Sequence, residues 1–312
     1  IEKMLERTIL FDLFHNEMLD INENDFSDFL NLLKRFNLKI KKNENKNLTS
    51  KLLANVDILV IGNPIDDYFS NIEIKDICNY VRIGGSLLLI SEYGADYLQK
   101  TNLNDISGTN FGIFFEKNLV KELNSIDQNS SSIIHIQNFQ ENEVSNNLRE
   151  IVIGGACSLF LNKDSRPSIL SNEENVWSEI FKSSKEQWVK DKEQQQILAA
   201  YTEFGQGKII AIGDIDIFTN DPNIGINAMD NHLFLQNCLD WLLKPVEESN
   251  VFSFTLNQLG TIQNEIKELN NTLNNMIETM TILEKRITVL EEASNKNNSN
   301  QKNIIKSRET DF

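Results

Sequence analysis

Residues 207–221 read GKIIAIGDIDIFTND, and this stretch decides the class of fold. Four apolar residues at 209–212 lead into Gly213 and then into three acids, which are Asp214, Asp216 and Asp221. A continuous apolar run of this kind is typical of a strand buried on both faces of a parallel sheet. The polar residues after it predict a loop at the carboxyl end of the strand, where α/β proteins bind their ligands.

Strands and helices alternate upstream of this stretch. Continuous apolar runs predict strands, and runs with one apolar face at helical spacing predict helices. The predicted strands are residues 8–15, 38–42, 57–64 and 86–94, and the helices between them are residues 25–37, 48–56 and 71–85. Helical crossovers join parallel strands and cover both faces of their sheet. The sequence therefore predicts an α/β fold of flavodoxin-like type, a mostly parallel sheet with helices on both faces.

The pattern is less regular between about residues 95 and 145. Beyond it, strands are predicted at 133–139 and 150–161, followed by a hairpin at 196–214 that turns at Phe204–Gly207. A last helix is predicted at 227–243, because Pro245 follows and cannot continue it. We assign residues 1–248 to this α/β domain.

The net charge argues against nucleic acid as a partner, and the length of the apolar runs argues against a membrane span. The 312 residues carry a net charge of −16 with a pI of about 4.7, so the chain repels phosphate backbones and nucleic-acid binding is not expected. No apolar run reaches the roughly 20 residues that a membrane-spanning helix needs, so no membrane span is expected. The three cysteines are far apart and lack metal-ligand spacing, which favours a reducing, cytoplasmic location.

Polar side chains collect where the predicted strands end. Because the carboxyl ends of parallel strands share one edge of a sheet, these side chains are candidates for a ligand-binding rim. The rim candidates are His15, Asn16, Asn63, Glu92, Tyr93, Asp214, Asp216, Asp230 and Asn231. Asp and Asn after strands also cap helices and bond loop amides, so a structural role is the alternative. A further alternative is that Asp214, Asp216 and Asp230 hold Mg²⁺ or Ca²⁺.

Three segments together carry a family resemblance: GGSLLLISEYG (84–94), GKIIAIGDIDIF (207–218) and DNHLFLQNCLDWLL (230–243). Their order resembles the class I glutamine amidotransferase-like fold, and more closely its GIFT-type branch, over about residues 5–245. That branch includes extracytoplasmic subunits of gliding-motility ABC transporters and the N-terminal domain of an intraflagellar-transport scaffold protein. The resemblance implies recognition of a sugar, a peptide or a protein surface without turnover.

The chain departs from the catalytic pattern of that superfamily. A working amidotransferase is expected to carry a Cys at the elbow after a central strand, where this chain has Glu92. It is also expected to carry a His after a late strand, and residues 213–216 contain none. A carboxylate is a poor attacker of an amide, so we expect no catalytic residues and no enzyme activity. Cys157 lies in an apolar run and is expected to be a small buried residue. His15 lies at a strand end and is the candidate acid–base group of an alternative, enzymatic function.

Residues 259–290 keep a strict spacing of three and four between apolar residues. The ten positions are Leu259, Ile262, Ile266, Leu269, Leu273, Met276, Met280, Leu283, Ile287 and Leu290, and we call them the seam. They are alternate a and d sites of a heptad repeat, which is typical of a coiled coil. A helix that packs on its own domain is the alternative, although such a helix usually has a wider apolar stripe. We assign residues 249–292 to the coiled coil and residues 293–312 to a disordered tail.

These patterns favour a non-catalytic scaffold or adaptor with an amidotransferase-like domain. Its expected partner is a second copy joined by a parallel coiled coil, or another protein with its own heptads. The alternatives are an enzyme that uses His15 and the acidic rim, and a sensor that binds a sugar or a metal. No cofactor is predicted.

Overall fold

The computed structural model of the protein describes residues 7–123 and 130–309. The chain divides into two compact units, Ile1–Val251 and Phe252–Phe312.

The strands of the described residues are β1 (Thr8–Asp12), β2 (Lys39–Asn43), β3 (Ile58–Gly62), β4 (Ser86–Ile90), β5 (Ile113–Phe115), β6 (Asn118–Leu123), β7 (Ser130–Ser131), β8 (Ile133–Ile136), β9 (Ile151–Gly154), β10 (Leu159–Leu161), β11 (Arg166–Leu170), β12 (Val176–Lys182), β13 (Gln187–Lys190), β14 (Ile197–Phe204) and β15 (Gly207–Ile212). The helices are α1 (Ser27–Arg35), α2 (Ser50–Leu53), α3 (Asn71–Arg82), α4 (Ala95–Gln99), α5 (Leu103–Phe111), α6 (Asn231–Leu243) and α7 (Glu248–Glu309).

The central sheet of the first unit is mainly parallel, as the sequence predicts. Its strand order is β2-β1-β3-β4-β15-β14-β10-β5, and β11 also pairs with β14. The five strands from β2 to β15 run parallel to one another. The antiparallel pair of β14 and β15 is the predicted hairpin, with Phe204 opposite Gly207. The quoted stretch 207–221 therefore places its strand in the middle of the sheet.

Helices cover both faces of this sheet, and alternate residues of each central strand serve the two faces. In β4, Leu88 and Ile90 belong to the core that contains residues of α1 and α6. Their neighbours Leu87 and Leu89 belong to the core on the other face, with residues of α3 and α5. All four side chains are at most 2% exposed, and burying each contributes about 1.5–3 kcal/mol. This two-sided burial is why β4 is apolar at every position from 87 to 90.

The region between residues 95 and 204 contains elements that the sequence analysis does not predict. Two helices, α4 and α5, follow β4, and a second sheet has the order β13-β12-β6-β7. These strands carry a weak signal because they are short or half buried. In β12, Val176 and Ser178 are buried whereas Trp177 and Glu179 are partly exposed.

The long helix α7 continues further than the sequence analysis expects. Residues 293–309, assigned to a disordered tail, are helical, and residues 310–312 lie outside the described residues. The segment 293–309 contains neither Gly nor Pro, so no residue in it breaks the backbone hydrogen bonds of a helix. Among the helices described, α7 included, none has an apolar stretch of the length that crossing a bilayer requires.

Candidate functional site

The predicted rim residues of the first unit lie at strand ends but form separate groups. His15 follows β1 and contacts Asp12 and Glu73, and we call Asp12, His15, Glu17 and Glu73 the histidine cluster. Glu92 follows β4 and lies beside Asp214 and Asp216, and we call these three residues the acidic cluster. The rim is therefore better described as two clusters, one buried and one partly buried, than as one open cleft.

The histidine cluster is a chain of buried hydrogen bonds. The Nδ1 atom of His15 lies 2.5 Å from Oδ2 of Asp12, and its Nε2 atom lies 3.2 Å from Oε1 of Glu73. The other oxygen of Asp12, Oδ1, accepts a hydrogen bond of 2.7 Å from Asn43 Nδ2. His15 is 1% exposed, and the ring of Phe69 lies over it with centroids 4.1 Å apart. Both nitrogens of the imidazole therefore have fixed partners.

A tight turn after β1 positions Glu17. Asn16 adopts a left-handed conformation with φ of +53°, which Asn tolerates better than most residues. The chain then crosses the end of β3, where Glu17 pairs with Pro64 and the amide of Leu19 donates to the carbonyl of Gly62. A β-carbon on Gly62 would lie 2.4 Å from that of Leu19, so this approach requires glycine.

Glu73 reaches the cluster from the first turn of α3. Ser70 and Glu73 form a capping box, and the amide of Leu48 also donates to Glu73 Oε1 at 3.0 Å. Burial alone would raise the pKa of Glu73, but the hydrogen bonds from Ser70 and Leu48 outweigh it and lower this pKa. Sequence reasoning missed Glu73, although the Ser70-x-x-Glu73 spacing is a recognisable helix start.

The charges of these carboxylates act on His15. Burial alone would lower the pKa of the imidazole, but the hydrogen bond and charge of Asp12, with the charge of Glu73, raise it above its usual value. The two carboxylates therefore favour the protonated form of His15. Both ring nitrogens already face these carboxylates, so neither is free to exchange a proton with a substrate.

Glu17 is the member of the cluster that lacks partners. It is 7% exposed, and neither carboxylate oxygen has a hydrogen-bond partner among the residues that the structure describes. Burial, and then the charge of Asp12, raise its pKa well above the usual value for Glu. The nearby backbone of Gly62 lowers the pKa of Glu17, but it is not placed to form a hydrogen bond with either carboxylate oxygen. A buried carboxyl group without partners is costly, so Glu17 needs a functional explanation.

In the acidic cluster, unlike at Glu17, the carboxylates accept hydrogen bonds from backbone amides. Glu92 accepts hydrogen bonds from the amides of Tyr93 at 3.0 Å and Ile215 at 3.3 Å. Asp214 accepts from the amides of Gly154 at 3.2 Å and Asp216 at 2.9 Å. Burial, and then the charge of the neighbouring acid, raise the pKa of Glu92 and of Asp214 well above their usual values. These contacts tie the loops after β4, β9 and β15 together, which is a structural role.

Asp216 lies at the exposed side of the acidic cluster and lines a cavity of about 450 Å³. The other lining residues are Asp25, Thr219, Asn220, Asp221 and Ile224. Burial, and then the charge of Asp221, raise the pKa of Asp216. A group of this kind stabilises the fold fully below its ordinary pKa, near 3.8, and loses that contribution as the pH rises through its raised value.

We therefore expect Asp216→Asn to gain stability as the pH rises. The asparagine carries no charge, so the free energy of unfolding relative to the parent should rise between pH 4 and pH 7. The gain is at most about 1 kcal/mol, because solvent screens this partly exposed group. Urea unfolding at the two pH values measures it, and Asp25→Asn is the control because Asp25 lines the same cavity but is exposed. If the difference in the free energy of unfolding between parent and variant does not change with pH, the pKa of Asp216 is not raised in the folded protein.

The described residues contain no cysteine–histidine pair. Cys157 is fully buried, and burial, followed by the charge of Glu92, raises the pKa of its thiol well above the usual value. Of the three histidines, His15 is held in its own cluster, His135 binds Glu150 at 2.8 Å, and His232 is exposed on α6. A buried thiol with a raised pKa is a poor nucleophile.

Asp230 and Asn231 bind backbone and belong to neither cluster. Asp230 Oδ2 accepts a hydrogen bond of 2.8 Å from the amide of Arg149. Asn231 is fully buried and exchanges two hydrogen bonds of 2.9 Å with the backbone of Val152 in β9. Asp230 therefore does not join Asp214 and Asp216, the set considered above for Mg²⁺ or Ca²⁺.

Tyr93 is the exposed member of the predicted rim. Its side chain is 43% exposed, and its ring lies 6.1 Å from that of Trp188 in β13. Trp188 in turn packs edge-on against Phe181 in β12, with ring centroids 5.7 Å apart. These aromatic rings join the loop after β4 to the hairpin of β12 and β13.

The seam lies on α7 in the second unit. All ten of its residues are exposed, from 48% for Ile262 to 69% for Leu269. Phe252, one heptad before Leu259, is 65% exposed and extends the same repeat, a residue that sequence reasoning did not include. The helix thus presents a continuous apolar stripe.

Comparisons with known proteins agree with this fold. Residues 8–125 match the family model of the IFT52 GIFT domain. Among solved structures, the chain is similar to the mmIFT52 N-terminal domain, with a TM-score of 0.61 and 16% identity over 76% of this chain and 97% of that one. It is also similar to the cytoplasmic protein STM1381 from Salmonella typhimurium LT2, with a TM-score of 0.51 and 16% identity over 76% of this chain and 100% of that one. No match is found among curated protein sequences.

The family match covers the strands from β1 to β6, which include the histidine cluster and Glu92. It ends before Asp214 and Asp216. The structural similarity shows the fold, because both solved structures are 16% identical to this chain. The GIFT-type resemblance is supported over residues 8–125, and the wider amidotransferase-like placement stays a prediction.

Proposed function

We propose that the protein is a non-catalytic scaffold or adaptor whose α/β domain recognises a partner and whose helix α7 joins two chains as a parallel coiled coil. The observation that carries this proposal is the seam of ten exposed apolar residues on one uninterrupted helix. A single chain in water gains nothing from such a stripe, and contiguous apolar surface of this extent marks an interaction site.

The spacing of the seam favours pairing with another helix over packing on a globular surface. Apolar residues repeat every 3.5 residues on average from 259 to 290, which keeps them on one side of a left-handed supercoil. The d sites are mostly Leu, and Ile occupies two of the a sites, a composition compatible with a parallel dimer. Arg286 at a g site would face Glu291 at an e site of the second chain, which adds a few tenths of a kcal/mol.

The α/β domain supports recognition without turnover. Its family match is to the IFT52 GIFT domain, and the resemblance stated above implies binding of a partner rather than chemistry. Glu92, at the position of the expected nucleophile, is held by two backbone amides, and His15 is held by two carboxylates. Two copies joined by α7 would bind a repeated partner more tightly than one, through effective concentration alone. A cytoplasmic location fits the three free, buried cysteines.

The test is the mass of the chain with and without the seam. We expect light scattering to give twice the chain mass for residues 1–312 and the mass of one folded chain for residues 1–254. The shorter chain keeps both faces of the sheet covered, because the two cores consist of residues before 244. A truncated chain that still forms dimers would place the contact in the α/β domain and contradict the proposal.

A further inference from the structure

The histidine cluster has the arrangement of a metal site. Asp12, His15 and Glu17 each offer a ligand atom, and these atoms lie within 4.8 Å of one another. All three residues are buried. Their spacing follows from the turn after β1, because the strand ends at Asp12 and the left-handed Asn16 lies between His15 and Glu17.

We propose that Asp12, His15 and Glu17 bind a divalent transition-metal ion of the Zn²⁺ type. The carboxylate of Glu17 is the observation that points to a ligand, because it is 7% exposed, has no hydrogen-bond partner within the described part of the chain and shares this space with two other ligand atoms. Buried carboxylates without hydrogen bonds are rare unless they are paired or coordinate a metal.

The neighbours of the three ligands are arranged as the outer partners of a metal site usually are. A histidine that binds a metal through one ring nitrogen commonly donates its other N–H to a carboxylate, which fixes the orientation of the ring. Glu73 Oε1 lies 3.2 Å from His15 Nε2 as an ion-pair contact, and Glu73 is itself held by Ser70 and Leu48. Asn43 holds Oδ1 of Asp12 at 2.7 Å, which leaves Oδ2 facing His15 Nδ1. An ion bound by both Nδ1 and Oδ2 would displace their shared proton, and these atoms, 2.5 Å apart here, would have to separate to about 3.3 Å to coordinate it at about 2.0 Å each.

Charge balance also favours a cation. Three carboxyl groups, those of Asp12, Glu17 and Glu73, surround one imidazole in this buried cluster. A divalent ion would compensate these buried charges, which are otherwise costly. Neither Lys nor Arg forms an ion pair with Asp12, Glu17 or Glu73 among the contacts of the described residues.

The ligand set selects the type of ion. Zn²⁺ binds His nitrogen and Asp or Glu oxygen at about 2.0–2.2 Å, and three protein ligands leave its fourth position open. Mg²⁺ and Ca²⁺ prefer ligand sets made of oxygen alone, whereas this cluster includes an imidazole nitrogen. Imidazole with carboxylates therefore favours Zn²⁺ over Mg²⁺.

Calorimetric titration of the full chain, after treatment with a chelator and dialysis, tests the site with Zn²⁺ and with Mg²⁺. We expect one Zn²⁺ per chain, no binding of Mg²⁺ at the same concentrations, and a higher melting temperature with Zn²⁺ present. Glu17→Gln keeps the shape of the side chain but removes its charge. We expect it to weaken Zn²⁺ binding more than about 100-fold, because loss of even an outer partner costs about 10–100-fold.

His135→Gln is the matched control, because His135 and Glu150 form an exposed pair that could also bind Zn²⁺. This control should bind Zn²⁺ like the parent. Absence of Zn²⁺ binding by the parent overturns the proposal, and so does binding that survives Glu17→Gln but is lost in His135→Gln.

X-ray absorption at the zinc edge of the parent protein gives a second measurement that depends on no variant. We expect nitrogen and oxygen ligands near 2.0–2.2 Å. A sulfur shell near 2.3 Å would assign the ion to a cysteine and overturn the proposal.

Discussion

The double variant Leu269→Asp, Leu273→Asp is expected to be a monomer at concentrations where the parent chain is a dimer. Leu269 is a d site and Leu273 is the next a site, so both side chains would be buried between the two helices. In a parallel dimer each substitution occurs twice, which places four carboxylates in adjacent layers of the seam. Loss of a buried Leu typically costs about 2–5 kcal/mol, and burial of unpaired charge adds to it.

We therefore expect the dissociation constant of the dimer to rise more than about 1,000-fold, which corresponds to about 4 kcal/mol. Sedimentation or light scattering over a range of chain concentrations measures the change. The control is Asn264→Asp, Asn271→Asp, which adds the same charge at two f sites on the opposite face of α7. A control that dissociates as readily as the seam variant would show that charge on the helix, and not the seam, controls assembly.

The variant Asn231→Ala is expected to have the largest effect on stability in the α/β domain. The Oδ1 atom of Asn231 accepts from the amide of Val152, and its two Nδ2 hydrogens are shared among the carbonyls of Val152, Ile224 and Gly225 at 2.9–3.0 Å. Alanine leaves these buried backbone groups without partners. Each unsatisfied buried group costs about 1–3 kcal/mol, so we expect the free energy of unfolding to fall by about 3–5 kcal/mol.

Denaturant unfolding followed by circular dichroism measures this loss. The control is His232→Ala, because His232 is the next residue of α6 and is exposed. Exposed substitutions of this kind usually change stability by about 0.5 kcal/mol or less. A loss below about 1 kcal/mol for Asn231→Ala would contradict the structural role that its hydrogen bonds indicate.

The central strands could be predicted from the sequence because their signals are local. Residues 57–64, 86–94 and 207–214 each contain a continuous apolar run that is followed by turn residues, and each segment contains a parallel strand of the sheet. The half-buried strand β12 could not be predicted in this way, because its pattern depends on packing against β6.

The candidate site was predicted less completely, for a related reason. His15 could be selected because it is polar and follows an apolar run. Glu17 could not, since its burial depends on a crossing over β3, which brings residues 17–19 against residues 62–64. Asp230 and Asn231 were selected by position, but Asp230 binds the segment just before β9 and Asn231 binds β9 itself, which is assembled by long-range pairing with β8. Local sequence identifies the elements, and contacts between distant segments decide which side chains meet.

The close approach of Gly62 to Leu19 has a consequence for how position 62 can vary. Replacement by any other amino acid would push residues 17–19 away from the end of β3, although position 62 itself contributes no polar group. Such a substitution would move the carboxylate of Glu17 without changing the residue itself. A variant chain with an apparently harmless Gly62→Ala change would therefore lose Zn²⁺ affinity while every ligand in its sequence is intact.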